Sequence, residues 1–250
     1  LERSHQKLVE FLSDQLEVPV ELMVGDNYED VLARTRAGAF DLAILSPYLY
    51  VRAVDGNPLP CLVQMIGDGS ATAAGYIVVR EDSSIRDLTD LPGKRMAFVD
   101  RFSTSGYLFP AKLLLDVGID PHKHLASADF FGNHEAVLLA VLNGEAHAGA
   151  TFQGALVALK KTQSVDPLSF RVIAKTERTR RDIVCARSDL PEVVRTQIQQ
   201  QLLMLTVRGR MGREILNPLN VNGFQLSEDA AYDGIREVAR QVEAWENQAP

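Results

Sequence analysis

The sequence predicts an α/β fold in which mostly parallel sheets are flanked by helices. Three observations carry that expectation. Apolar runs of strand length alternate with segments of helical period through much of the chain. The alternation comes in two blocks, the second starting at Lys94 after the turn signal Leu91-Pro92-Gly93. Glycines or capping residues punctuate many of the changes of element. At 250 residues, 46% hydrophobic and 24% charged, the chain is long enough for one large or two small domains with real cores.

In the first block, Leu8, Phe11, Leu12 and Leu16 share one helical face, a pattern in which Leu1 already lies. A short apolar strand is expected over 20–24, then Gly25-Asp26-Asn27 and a helix over 28–37. Asn27 is its cap, Glu29 and Asp30 suit its first turn, and Gly38 ends it. Tyr28, Val31, Leu32 and Thr35 make its inner face. A strand over 41–45 leads through Ser46-Pro47-Tyr48 into a short helix, and strands follow over 62–66 and 75–79.

The second block reads strand 96–99, helix 105–117 closed by Gly118, strand 127–131, helix 134–143, strand 146–151 and a helix towards Lys160. A return segment begins over 171–174, and 183–186 reads as a strand. The tail is helical, with Val194, Ile198, Leu202 and Leu205 on one face and Tyr232, Ile235, Ala239 and Val242 on another.

Composition narrows the function classes. A net charge of −7 and a pI near 5.3 argue against a nucleic-acid partner, whose footprint is a basic face. No run of about 18 apolar residues exists, so no segment of this sequence reads as a membrane span. Cys61 and Cys185 sit in no metal or redox spacing and do not fix a compartment. His122 and His124 stand two apart in a polar loop, and no metal set, cofactor loop or nucleophile–base pair is recognisable. No cofactor or metal is expected, and binding is expected rather than catalysis.

The most informative stretch is Phe102-Ser103-Thr104-Ser105-Gly106-Tyr107, between a strand and a helix. A helix start carries unpaired N–H groups and a partial positive charge, so it receives anionic oxygens without a formal cation. For one hydroxyl the plain reading is a cap, supplied by Ser103 or Ser105. Three hydroxyls in a row, closed by a Gly that lets backbone approach a ligand, point towards anion binding. Because the whole chain is acidic, such a site must be a local arrangement of donors. Three other strand-to-helix turns also carry polar or aromatic side chains: Asn27-Tyr28, Ser46-Pro47-Tyr48 and Asn133-His134. In open α/β sheets ligands collect at such turns, outside the carboxyl ends of strands.

Asn27-Tyr28, Asp41-Leu-Ala-Ile-Leu-Ser-Pro-Tyr48, Gly75-Tyr76, Asp90-Leu-Pro-Gly-Lys94, Ala97-Phe-Val-Asp100, Ser103-Thr-Ser-Gly-Tyr107 and Gly132-Asn-His134 stand in one order along the chain. In that order they resemble the phosphate/phosphonate-type periplasmic substrate-binding proteins, over nearly the whole length. The resemblance implies a two-lobed clamshell of the type 2 periplasmic-binding-protein fold with the ligand cleft between lobes. One lobe would comprise 1–82 and 180–250, the other 83–179, with hinge crossings near 80–84 and 175–181. The family's first strand would lie before Leu1, so the sequence is expected to start inside that lobe.

Carried over residue by residue, the resemblance implies that Ser103, Thr104 and Ser105 bind phosphoryl oxygens and that His134 adds a donor. It implies that Tyr28, Tyr48 and Tyr76, with Ser46 beside Tyr48, line the facing wall. Without the resemblance, His134 reads as a cap or satisfied group, and the tyrosines as packing aromatics. Members that take up aminoalkyl phosphonates hold the ammonium with two carboxylates; Gly154 stands at the first position here and Asp182 at the second. His147 stands where an Asp is usual. An amine-bearing ligand is therefore expected to bind more weakly than phosphate or methylphosphonate. The implied function is capture of phosphate, phosphite or an alkyl phosphonate, in a periplasmic or extracytoplasmic setting. The partner would be an ABC importer permease or, as a sensing domain, a receptor kinase. The alternatives are an enzyme on the same fold, and a scaffold that has lost its ligand.

Overall fold

The computed structural model describes residues 2–247; Leu1 lies outside them. In chain order come α1 (Glu2–Leu16), α2 (Tyr28–Arg36), β1 (Leu42–Leu45), α3 (Pro47–Val54), β2 (Cys61–Ile66) and β3 (Thr72–Arg80). Then follow β4 (Arg95–Phe98), α4 (Phe109–Asp116), α5 (Pro121–His124), β5 (Ser127–Phe130), α6 (His134–Leu142), β6 (Ala148–Phe152) and α7 (Gln153–Gln163). The chain continues through β7 (Phe170–Arg180), β8 (Ile183–Ala186), α8 (Glu192–Met204), α9 (Arg210–Leu216), β9 (Gly223–Leu226) and α10 (Asp233–Glu246).

The chain divides into two compact units. The first holds the residues up to Thr72 with Arg180–Asp233, the second Ala73–Thr179 with the chain from Gly234. The sequence reading placed the first crossing at 80–84 and the tail helix in the discontinuous lobe, whereas contacts group the chain from Ala73 and α10 with the second unit. β3 runs unbroken to Arg80 and pairs with β6 from Gly75 to Val79, which draws it into the second unit. α10 buries Ile235, Val238, Ala239 and Val242, and its far end reaches side chains of the second unit.

The first unit has a four-stranded sheet in the order β1-β8-β2-β9. Its neighbours pair antiparallel throughout: β1 with β8, β8 with β2, and β2 with β9. A mostly parallel sheet was expected. The difference arises because β8, re-entering from the second unit, inserts between β1 and β2 and runs against both. Its core joins Leu8, Phe11 and Leu12 of α1 to Leu62, Val63, Val184, Ile198, Leu202 and Phe224. The strand expected over 20–24 does not form. No described strand pairs with it, and Met23 and Val24 stand 52% and 39% exposed. Apolar alternation favours extended backbone, but a strand needs a neighbour to receive its hydrogen bonds.

The second unit has a five-stranded sheet in the order β5-β4-β6-β3-β7. β4 pairs parallel with β5 and β6, whereas β3 runs antiparallel to β6. Three parallel strands thus deliver their carboxyl ends to one end of the sheet, and β3 brings its first residues there. The fully buried Phe98, Leu108, Leu114, Leu138, Val141 and Ala150 pack the helices onto the strands.

Candidate functional site

The hydroxyl turn leaves the carboxyl end of β4. Ser103 is its cap: the hydroxyl accepts from Gly106 N at 3.1 Å and the carbonyl accepts from Leu108 N at 2.9 Å. The helix expected to open at Ser105 instead begins as a π-helical turn, Thr104–Leu108, that runs on into α4. A wider turn of this kind is often found at functional sites. It forms here because Gly106 lies against Val99, where a Cβ would stand 2.5 Å from the Val99 Cβ and 2.8 Å from Ser103 Oγ. Ser103 and Thr104 are buried, at 2% and 4% exposure, and Ser105 is half-buried. Among the described residues the Ser105 hydroxyl meets no protein hydrogen-bond partner.

Neighbouring strands bring further polar groups to the same end of the sheet. Gly75 of β3 sits so close to the turn that a Cβ there would stand 3.0 Å from the Ser105 carbonyl oxygen. Gly75 N donates to Thr176 Oγ1 at 2.8 Å. The next residue, Tyr76, pairs in register with Thr151 of β6, and its hydroxyl donates to Gln153 Oε1 at 3.1 Å. Lys175 Nζ stands 5.1 Å from the centre of the Tyr76 ring. His134 opens α6 beside the Asn133 cap, which accepts from Ala136 N at 2.8 Å. Its Nδ1 lies 3.2 Å from Thr151 Oγ1, and its ring meets Phe152 edge-on at 4.8 Å. Burial holds the imidazole well below its ordinary value, at about 4, so His134 is neutral at pH 7. A neutral imidazole offers an anion one N–H and no charge.

The other predicted residues belong to the first unit. Tyr28 is the half-buried first residue of α2, where Asn27 accepts from Asp30 N at 2.9 Å. Ser46 caps α3 by accepting from Leu49 N at 3.4 Å, and Tyr48 is buried at 4% exposure. The register partner of Leu45 is Ile183, which brings Ser46 and Asp182 to the same end of the four-stranded sheet. The protein around Asp182 pushes its carboxyl up to about 6, against the pull of Arg181. Arg181 pairs with Asp68 at 3.2 Å, and Arg180 donates to the buried Gln64 side chain at 3.4 Å.

Thr151, Phe152 and Gln153 stand at this sheet end without having been singled out in the sequence. Their strand-to-helix step follows the same positional rule as the four turns named above, but has no Ser or Asn cap to mark it. His147 is at the wrong end: it precedes β6, and its Nδ1 accepts from Arg95 N at 3.1 Å where β4 begins. Gly154 lies in the first turn of α7, where a Cβ would collide with the Phe152 ring that meets His134. Among the described residues no group of three or more His, Cys, Asp or Glu side chains could hold a metal ion, and no helix is long and apolar enough to cross a membrane.

Residues 1–232 match the family model described as the periplasmic substrate-binding protein of phosphonate ABC transporters. The phosphate-import protein PhnD of Mycolicibacterium smegmatis is 31% identical over 211 residues, covering 78% of this chain and 64% of that protein. The probable ABC transporter phosphite-binding protein PhnD1 of Prochlorococcus marinus is 24% identical, over 92% of this chain and 81% of its own. A solved structure of PhnD1 from Prochlorococcus marinus, in complex with methylphosphonate, superimposes with a TM-score of 0.89 at 23% identity. That match covers 97% of this chain and 93% of the solved one, and it fixes the fold.

Proposed function

Since the chain belongs to the periplasmic substrate-binding family of phosphonate ABC transporters, we propose that it reversibly binds a small phosphorus oxyanion at the Ser103-Thr104-Ser105 turn. The ligand is phosphate, phosphite or a short alkyl phosphonate. The chain serves as the extracytoplasmic solute-binding component of an importer and hands the ligand to a permease. The chain spans less than two thirds of the mycobacterial relative, and the activity proposed is that of the stretch read here. The observation that carries the reading is the half-buried Ser105 hydroxyl, unengaged by protein, beside two buried hydroxyls at the start of a helical segment. His134 adds a neutral donor at the same sheet end, and Tyr76 supplies a wall. Tyr28, Ser46, Tyr48 and Asp182 are the contacts proposed from the first unit. The arrangement is one of donors, suited to capture and release rather than turnover.

A ligand that only the folded state binds raises stability by about 2.7 kcal/mol at a hundredfold excess over its dissociation constant. Thermal melts with phosphate, phosphite, methylphosphonate, sulfate and arsenate are expected to show stabilisation by at least one phosphorus oxyanion. No shift with any of the five overturns the proposal and favours a scaffold without ligand. Calorimetry then compares methylphosphonate with an aminoalkyl phosphonate. A buried ammonium needs an anionic partner, and Asp182 stands without a second carboxylate at Gly154. The amine-bearing ligand is expected to bind about tenfold more weakly, roughly 1.4 kcal/mol. Tighter binding of that ligand overturns the ligand-choice reading alone.

A further inference from the structure

Glu246, on the last turn of α10, touches the hydroxyl turn from both sides. Tyr107, the fourth residue of the π-helical turn, donates its phenol hydrogen to Glu246 Oε1. Arg101, two residues before Ser103, pairs with the same carboxylate oxygen at 3.2 Å. Tyr107 cannot swing away, because its ring is 4% exposed and packs edge-on against Phe98 at 5.3 Å and Phe130 at 5.1 Å. α10 is itself fixed, by the buried face Ile235, Val238, Ala239 and Val242 and by Trp245 stacked on His122 at 4.6 Å. The carboxylate therefore sits at a set place, and the two residues that bracket Ser103–Ser105 are tied to it. The family match ends at residue 232, so Glu246 lies outside the stretch on which the family assignment rests, while its partners Arg101 and Tyr107 lie inside it.

We propose that Glu246 is a positioning residue for oxyanion binding: by holding Arg101 and Tyr107 together it fixes the loop whose hydroxyls and N–H groups meet the ligand. This rests on the binding reading given above. The physical argument is preorganisation. A turn whose donors already point at the ligand position loses less entropy on binding, and the residues that restrain it contribute to affinity without touching the ligand. A charge-assisted phenol–carboxylate bond is a strong restraint of that kind. An opposing effect is Coulombic. Removing Glu246 takes away the anionic partner of Arg101, which on charge alone favours an anion, but Arg101 stays over the Phe130 ring and, 61% exposed, is screened by water.

The test is calorimetry with inorganic phosphate on the full chain carrying Glu246→Ala, Glu246→Gln, Tyr107→Phe or the Tyr107→Phe/Glu246→Ala pair. Hydrogen exchange of the 103–108 amides is measured in parallel. Glu246→Ala and Tyr107→Phe are expected to weaken phosphate binding about threefold to tenfold. The double variant is expected to lose no more than the worse single one, because both remove one contact. Glu246→Gln keeps an acceptor for Tyr107 and is expected to remain near wild type. Exchange at 103–108 is expected to quicken in the Ala variant while other amides of the second unit hold. Unchanged affinity with a lower melting temperature overturns the proposal, as a clasp that only stabilises would behave so. Tighter binding in both Glu246 variants also overturns it, making the carboxylate a brake. Should Glu246→Ala fail to fold, Tyr107→Phe carries the same test. A wild type that takes no oxyanion defeats the binding reading, while the exchange measurement still decides whether Glu246 holds the turn.

Discussion

Ser103 and Ser105 differ in what their hydroxyls already do. Ser103 accepts from Gly106 N and so caps the turn, whereas Ser105 has no protein partner among the described residues. Losing a cap costs about 1 kcal/mol of stability, while a hydrogen bond to a charged ligand contributes roughly 1.5–3 kcal/mol to binding. Ser105→Ala is therefore expected to weaken phosphate binding about 10- to 100-fold with an unchanged ligand-free melting temperature. Ser103→Ala is expected to lower both affinity and melting temperature. If Ser105→Ala binds phosphate as wild type does, the turn is structural. His134 supplies a second residue-level expectation. Its folded value of about 4 lies below the ordinary 6.5, so between those values the unfolded chain binds the extra proton. The His134 contribution is fully present above about pH 6.5 and is lost as pH falls towards 4. Denaturant titrations across that window should show a shallower loss on acidification in His134→Gln. Asp182, raised to about 6, acts in the opposite sense, favouring the folded state at low pH and losing that contribution as pH rises through 6. An unaltered slope in His134→Gln would mean that the imidazole is already solvated in the folded state.

At the level of elements, the π-helical turn depends on the absence of a side chain at Gly106. A methyl there would press on Val99 and on Ser103 Oγ, which carries the cap. Overpacking of this kind costs typically about 1–3 kcal/mol. Gly106→Ala is expected to lose that much in denaturant titration and to lose phosphate affinity with it. A stable variant with wild-type affinity would show that the turn relaxes freely. The sequence made this turn legible because hydroxyls and glycine cluster between a strand and a helix. It also made α2 legible, since Asn27, the acidic first turn and Gly38 all mark its limits. It could not reveal the failed strand over 20–24, because hydrogen-bond neighbours are supplied from elsewhere in the chain. It could not reveal which unit receives α10 either: an amphipathic face states that something covers it, not what. Gln153 and Thr151 went unread for a related reason, since only the β3–β6 register places them beside Tyr76.

For the molecule as a whole, a net charge of −7 sets the approach of an anionic ligand against the general field. Raising ionic strength from about 10 to 150 mM shortens the screening length from about 30 to 8 Å. The association rate of phosphate is expected to stay level or rise, by up to roughly threefold, over that range. Stopped-flow rates that instead fall steeply with salt would reveal a local cationic funnel.

The contribution of α10 to the second unit also sets a schedule for synthesis. During translation 73–179 leaves the ribosome long before α10, and the first unit's β8, α8 and β9 are made in between. The second unit therefore stays open along the surface that α10 will cover until nearly the whole stretch has emerged, so its folding cannot finish as one early, local event. A nascent chain stalled before Ile235 would leave bare the surface that α10 covers, a surface suited to a chaperone that shields it until the helix arrives.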